Sequence, residues 1–167
     1  TPDVSVPMGT HLVNKFTGLN SSTGWTDFSI ALNDCPAFNG IFSAAGPGWI
    51  SQGGNSPSGT GTSGTRVNNT LQYRIDPART AINASNGILS LDPSTAGNAP
   101  AATGVGIQVA TSNGVALPLA SNQNTGLTLR STESSYAIPL RARYLQTGAK
   151  VTPGPANASA TFTIIYQ

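Results

Sequence analysis

The sequence predicts an all-β fold, an antiparallel sandwich or barrel made of short strands. Apolar and polar residues alternate with period two in many short segments, and no stretch of ten residues has apolar positions at helical spacing. Clusters of Gly, Pro, Asn and Ser separate these segments, as turns do between strands. Short strands joined by such turns are typical of antiparallel sandwiches and barrels.

The alternating segments run along the whole chain, and we predict a strand at each of them. In chain order they lie at residues 4–6, 28–32, 71–75, 105–109, 127–129, 138–144 and 162–166. Asn113-Gly114 lies between two apolar runs and has the composition of a tight hairpin turn. Residues 46–64 are rich in Gly and Ser and predict a long surface loop.

Length and composition indicate one domain of an exported protein. The 167 residues are enough to bury a substantial core, and we expect a single domain over residues 1–167. Only 8% of the residues are charged, against roughly 25% in an average soluble protein. The basic residues are scattered, so we expect no nucleic-acid partner. No apolar run approaches the roughly 18 residues of a membrane span, so the chain is not expected to be embedded in a membrane.

Residues for catalysis or metal binding are scarce. The chain has one histidine, His11, and one cysteine, Cys35, and this pair cannot make a zinc site. Six carboxylates are present, but none lies in a recognisable catalytic motif, and roles in turns are expected for them. The sequence therefore predicts no catalytic residue, no metal and no cofactor, and we expect a protein that is not an enzyme.

The last predicted strand is unusual for the edge of a sheet. Phe162, Ile164 and Tyr166 form an apolar set on one face, and the sequence stops at Gln167. The strand contains no Pro, Lys or Glu, the residues that commonly protect an exposed edge from pairing. We therefore expect this strand to pair with a strand from another protein.

Cys35 is an odd cysteine in a protein that its composition places outside the cytosol. Either its disulfide partner lies outside this sequence, or Cys35 is a buried thiol that packs as a small apolar residue. Composition leaves both alternatives open.

Five motifs follow one another in a recognisable order. They are Val6-Pro7-Met8-Gly9, the strand at 28–36 with its Asn-Asp-Cys-Pro ending, the segment 104–109, the strand at 138–144 with Thr147-Gly148 after it, and the segment 154–167 with its penultimate tyrosine. Together they resemble the pilin domains of chaperone–usher fimbriae, over nearly the whole chain.

The resemblance implies an incomplete immunoglobulin-like antiparallel β-sandwich that lacks its final strand. In that family a periplasmic chaperone first lends a donor strand, and the N-terminal extension of the adjacent pilin subunit then replaces it. An outer-membrane usher is the third expected partner. The expected location is the periplasm during assembly and afterwards the fimbrial tip or shaft outside the cell. The implied donor-strand groove contains Val4, Val6, Phe162, Ile164, Tyr166 and Gln167.

Two departures from the family pattern bear on the role of the chain. The family's first cysteine is expected shortly before Val4, and the sequence begins at Thr1 without it. We therefore expect a chain truncated at its N-terminus, with the disulfide partner of Cys35 upstream. No alternating N-terminal extension is present either, and the 46–64 loop and the 71–76 strand are more similar to adhesin pilin domains than to shaft subunits.

These features favour the C-terminal anchoring domain of a tip adhesin, joined to the fimbrial shaft through its groove. The first alternative is a truncated shaft or adaptor pilin. An alternative from another class is a free-standing carbohydrate-binding sandwich, in which Trp25, Trp49 and Tyr73 would stack on sugar rings. Aromatic residues of this kind more often belong to a core.

Overall fold

The computed structural model describes residues 3–42, 48–51, 59–62 and 66–167, and within these ranges the chain is nearly all β. Apart from one 3-10 turn, Val13–Lys15, the described elements are strands. They are β1 (Thr26–Cys35), β2 (Ile41–Phe42), β3 (Gly48–Ser51), β4 (Gly59–Thr62), β5 (Arg66–Val67), β6 (Leu71–Pro77), β7 (Ile88–Leu89), β8 (Val105–Thr111), β9 (Gln123–Asn124), β10 (Ser134–Gln146) and β11 (Ala160–Tyr166). The all-β prediction is confirmed. No helix in these ranges is long and apolar enough to cross a membrane.

The first sheet has four antiparallel strands in the order β1-β10-β8-β7. Its long strand β10 pairs along its first part with β1, where Phe28 lies opposite Leu140. Along its last part β10 pairs with β8, where Tyr144 lies opposite Ile107. The length of β10 follows from its sequence, since apolar and less apolar residues alternate without interruption through 136–144.

The second sheet has three antiparallel strands in the order β11-β6-β9. β11 pairs with β6 without a register shift, so that Phe162 lies opposite Ile75 and Ile164 lies opposite Tyr73. β9 makes only a short pairing with the other edge of β6. In the described part of the chain, β11 is therefore the outer strand of this sheet.

The inward side chains of the two sheets pack against each other in one hydrophobic cluster. Alternation of period two places every second residue of a strand on the same face, and these faces meet between the sheets. The most deeply buried large side chains are Ile30, Leu71, Leu117 and Leu140. The two layers form the antiparallel sandwich that the sequence predicts.

The chain crosses from the first sheet to the second through the short strands between β1 and β6. β2 pairs with β5 and β3 pairs with β4, both antiparallel. The loop predicted over 46–64 is therefore wrong for residues 48–51 and 59–62, and the rest of that segment lies outside the described residues. Gly-Thr-Gly-Thr in β4 places a β-branched residue at alternate positions, which suits a strand, but its glycine content predicted a loop.

Candidate functional site

A cleft of about 640 Å³ opens between the two sheets. Core side chains from both sheets reach its floor, and most of them expose little of their surface, so the base of the cleft is apolar. The floor is formed by Phe28, Ile30, Ile75, Leu89, Ile107, Val109, Ala142 and Tyr144.

One rim of the cleft is the segment 3–9. Its residues alternate between exposed and half-buried, as in a strand, and Val4 and Met8 pack against the hydrophobic core. The segment makes no strand pairing with any described residue. The segment therefore has the side-chain pattern of a strand, but its backbone does not pair with another described strand.

The opposite rim is β11 together with the residues just before it, among them Ala158, Ala160 and Phe162. The hydrogen bonds at the two ends of β11 show which backbone groups face β6. Thr70 and Gln167 exchange both backbone bonds at 2.7 and 3.0 Å, and the Ala78 N–H donates to the Ser159 carbonyl at 3.0 Å. Because bonded and non-bonded pairs alternate in an antiparallel ladder, the odd-numbered residues of β11 direct their backbone groups to β6.

The even-numbered residues of β11 direct their N–H and C=O groups to the other, unpaired edge. These residues are Ala160, Phe162, Ile164 and Tyr166. Phe162 and Ile164 also pack their side chains against the core. No described residue pairs with these groups, so β11 presents a row of backbone donors and acceptors beside an apolar cleft, a combination that recruits a strand.

A second cavity of about 360 Å³ continues the cleft beyond Gly9 and Ala156. Tyr144 lines both cavities, and its hydroxyl donates to the Ala156 carbonyl at 2.9 Å. Burial raises the pKa of Tyr144, which keeps the hydroxyl protonated as a donor. Tyr144 thus ties β10 to the rim that leads into β11.

His11 lies at this end of the cleft. Its ring meets Tyr144 edge to face at 5.5 Å, and its Nε2 lies 2.8 Å from the Met8 carbonyl oxygen. His11 is exposed and has no carboxylate partner among the described residues, so it has no triad geometry. The described part of the chain holds no group of three or more metal-ligating side chains.

The structure brings only part of the predicted groove set together. Val4, Val6 and Phe162 line the cleft. Ile164 packs against the core farther along β11. Tyr166 is 54% exposed and stacks on Phe38 at 5.9 Å, while Gln167 uses its backbone groups on Thr70. These last two residues do not line the cleft.

The cleft also contains residues that sequence reasoning missed. Met8 and the floor residues were visible as apolar positions of alternating segments. Alternation shows which residues face inward, but it does not show which inward positions the chain itself leaves uncovered.

Cys35 is a free thiol in the described chain and is only 4% exposed. Cys35 is the last residue of β1 and lies beside Tyr166. Burial raises the pKa of Tyr166, and the neighbouring Cys35 adds to the shift through charge interaction and a hydrogen bond. Its pairing with a cysteine outside this sequence stays a prediction.

The aromatic residues considered for sugar binding are placed differently. Tyr73 is buried in the core, and Trp25 lies under the guanidinium of Arg143, 4.1 Å from the ring centre. The side chain of Trp49 lies outside the described residues.

The model of the family described as "Fimbrial protein" matches residues 1–167. The chain belongs to the fimbrial protein family. Fimbrial proteins are structural subunits and not enzymes, in agreement with the sequence prediction.

Curated relatives include fimbrial subunits of enteric bacteria. The type-1 fimbrial protein A chain of Escherichia coli K12 is 43% identical over 90 residues, which cover 53% of the chain but only 46% of that relative. The type 1 fimbrial subunit of Salmonella typhimurium is 28% identical over 166 residues, which cover 99% of the chain and 71% of the relative. The chain thus spans about half the length of the first relative and more of the second.

Solved structures share the fold. A type I fimbria protein and antigen of Burkholderia pseudomallei superposes with a TM-score of 0.57 at 25% identity. The match covers 99% of the present chain and 83% of the Burkholderia chain. A tip adhesin of Pseudomonas aeruginosa superposes with a TM-score of 0.53 at 20% identity. The match covers 91% of the present chain and 33% of the adhesin chain. The second similarity concerns the fold alone.

Proposed function

We propose that this fimbrial domain accepts a donor strand in its cleft and is thereby joined to its neighbour in the fimbria. The observation that carries the proposal is the free edge of β11, where four alternate residues offer backbone groups beside an apolar opening. An added strand would pair with these groups and place its own side chains on the cleft floor. It would thus supply hydrogen-bond partners for the edge and apolar side chains for the cleft.

The size of the cleft supports a strand as the occupant. A cavity of roughly 150 Å³ is about the space of one large apolar side chain, so a cleft of about 640 Å³ has room for roughly four. Four alternate side chains require seven or eight residues of strand, about the length of β11. Burying each contributes about 1.5–3 kcal/mol before the cost of ordering the strand is subtracted.

The segment 3–9 would be the second neighbour of the donor strand. Its backbone pairs with no described strand, and Val4, Val6 and Met8 already line the cleft. A strand inserted between 3–9 and β11 would satisfy both rims at once. Val4, Val6, Phe162 and Ile164 keep the groove role predicted for them, whereas Tyr166 would contribute its backbone more than its side chain.

The expected donors are a periplasmic chaperone during assembly and the N-terminal extension of the adjacent subunit in the finished fimbria, with an outer-membrane usher at the site of assembly. The chain would accordingly pass through the periplasm to the outside of the cell. Relatives named as fimbrial subunits support the extracellular end of this route.

Two positions in the fimbria are open to such a domain. A shaft or adaptor subunit is supported by a relative named as a fimbrial subunit that aligns over 99% of the chain. The sequence motifs favour the anchoring domain of a tip adhesin. The solved tip adhesin supports this role through its fold alone, and the chain covers 33% of that adhesin. We place the subunit role first and the anchoring role second.

The proposal is tested with a synthetic peptide of about nine residues in which apolar and polar residues alternate. We expect it to raise the thermal midpoint of the 167-residue chain by more than about 10 °C, because several kcal/mol of added stability shift the midpoint by roughly 2–4 °C each. The control is a scrambled peptide of the same composition without the alternation. A stable monomer that ignores both peptides would contradict the proposal.

A further inference from the structure

A cationic stack lies on the outer face of the first sheet, away from the cleft. Thr26 pairs with Ala142, which places Trp25 opposite Arg143 at the end of the ladder. The Arg143 guanidinium lies 4.1 Å from the centre of the Trp25 ring, and that of Arg141 lies 5.6 Å from it. Both distances are within the range of a cation–π interaction.

The two arginines differ in their counter-ions. Arg141 donates to Asp27 through Nη2 and Nε, at 2.8 and 2.9 Å. Arg143 has no carboxylate partner among the described residues: its Nε donates to Oε1 of Gln108 at 2.9 Å. Gln108 is itself 8% exposed and donates to the Asn86 carbonyl, which fixes its orientation. Arg143 is therefore a half-buried cation with a fixed orientation, and its remaining N–H groups make no hydrogen bond with a described residue.

Partial burial weakens the hydration of this cation. The pKa of Arg143 is lowered by desolvation, in agreement with a guanidinium that has lost water without gaining an anion. A carboxylate placed over its free N–H groups would restore the lost stabilisation with two parallel hydrogen bonds.

The opposite end of the same strand pair carries two carboxylates. Cys35 pairs with Ser134, which brings Asp34 and Glu133 to one end of the β1–β10 ladder. Both carboxylates are exposed and form no ion pair with a described residue. Nine residues of strand separate Trp25 from Asp34, a distance of about 30 Å at roughly 3.3 Å per residue.

We propose that the Trp25–Arg143 end of one copy of this domain docks against the Asp34–Glu133 end of a second copy, as an additional contact between subunits in the fimbria. The inference rests on the proposed function for its setting, but the contact uses a different surface from the cleft. A contact between two different ends of the same molecule is head-to-tail, and it propagates into an open filament when the rotation between successive copies does not close a ring.

Charge complementarity is the reason for a second copy as the partner. Three of the carboxylates, Asp27, Asp76 and Asp92, are each paired with an arginine of the same chain. Two of the remaining three carboxylates, Asp34 and Glu133, lie together at the end opposite the unpaired Arg143. One molecule therefore carries the unpaired arginine at one end of the strand pair and the two carboxylates at the other.

The test uses charge reversal and mixing, followed by sedimentation at high protein concentration and low salt, with and without the donor peptide. Arg143→Glu alone and Glu133→Arg alone should each weaken self-association at least tenfold. An equimolar mixture of the two variants should restore it, because each altered end then meets a complementary one. Arg143→Gln should give an intermediate loss, and Lys15→Glu, an exposed residue in the 3-10 turn, should behave as the parent chain.

The outcomes separate this contact from the cleft. Variants that still gain stability from the donor peptide but fail to associate until mixed support the proposal. A parent chain that does not self-associate, a mixture that stays dissociated, or an equal loss in Lys15→Glu would overturn it. Loss of the peptide response in the parent chain would instead count against the proposed function and leave the mixing result to be judged separately.

Discussion

In the described part of the chain, β1 and β11 are outer strands of different sheets and both contribute to the cleft, yet their edges are built differently. β1 carries the charged side chain of Asp27, and its pairing with β10 shifts register between Leu32 and Cys35. Within that irregularity Asp34 has a φ of +53°, in the left-handed region. β11 contains no Asp, Glu, Lys, Arg or Pro, and its register with β6 is regular throughout.

The difference separates an edge that discourages pairing from one that permits it. Charged residues and bulges are common ways in which proteins prevent edge strands from adding further strands. β1 has both features and β11 has neither, although both edges belong to one small domain. The two edges of one domain therefore differ in how readily they accept a further strand, and the following changes test this difference.

The largest effect is expected from a charge placed on the cleft side of β11. Ile164→Asp should abolish the rise in thermal midpoint caused by the donor peptide, because an unpaired carboxylate would lie against the hydrophobic core beside the free edge. Ile164 also packs against the core, so Ala160→Asp serves as a second variant at an exposed cleft position. Thr163→Asp is the control, since Thr163 is exposed and its backbone faces β6. Equal peptide responses in all three variants would contradict the account.

Proline substitution should separate the two edges of β11. Ala160→Pro removes an N–H from the free edge and should weaken peptide binding about five- to tenfold, roughly 1 kcal/mol, with little change in the chain alone. Thr161→Pro removes an N–H that faces β6 and should destabilise the chain itself by about 1–3 kcal/mol, because a ladder hydrogen bond is lost and its acceptor is left without a partner. Calorimetric titration and urea unfolding measure the two effects. Similar losses of chain stability in both variants would show that the assignment of odd and even residues is wrong.

The fold was largely predictable from the sequence, because alternation is a local signal. The segments 28–32, 71–75, 105–109, 138–144 and 162–166 all lie within strands, whereas the strands predicted at 4–6 and 127–129 are wrong, since neither segment pairs with a described strand. The predicted turn at Asn113-Gly114 is present, with Gly114 at a φ of +80° and a bridge between Ala110 and Ala116 across it. By contrast, β3 and β4 were missed because their pairing is a non-local property of a glycine-rich segment.

The site was predictable only in part. Val4, Val6 and Phe162 were predicted for the groove and line the cleft. Gln167 was also predicted, but the parity of the β6–β11 ladder turns its backbone groups to Thr70. Ladder parity depends on register, which no single strand encodes. The pairing of Arg143 with Gln108 depends likewise on the neighbouring strand β8.

A smaller effect is expected at the irregularity of β1. Asp34→Val should destabilise the chain by about 1–2 kcal/mol, because a β-branched residue is strained at positive φ. Asp34→Gly should match or slightly exceed the parent in stability, since glycine adopts this conformation freely. Urea unfolding measures both. If valine is tolerated as well as glycine, the left-handed conformation does not contribute to the protection of this edge.

The smallest effect concerns the tyrosine between the two cavities. Tyr144→Phe removes the hydrogen bond to Ala156 and should cost about 1 kcal/mol at neutral pH. Burial raises the pKa of Tyr144 and of Tyr73, so the folded state holds their protons while the unfolded state releases them above about pH 10. Stability should therefore fall as the pH rises past 10, and less steeply in Tyr144→Phe. An unchanged alkaline slope would contradict this role.

The central claim is that the even-numbered residues of β11 hold open positions for a donor strand. Residue-resolved amide hydrogen exchange tests it most directly, in the chain alone and with the donor peptide bound. We predict that the amides of Ala160, Phe162, Ile164 and Tyr166 exchange fast in the chain alone and become protected with the peptide, whereas those of Thr161, Thr163 and Ile165 are protected in both states. Even-numbered amides that are already protected without the peptide, or that stay unprotected with it, would contradict the account.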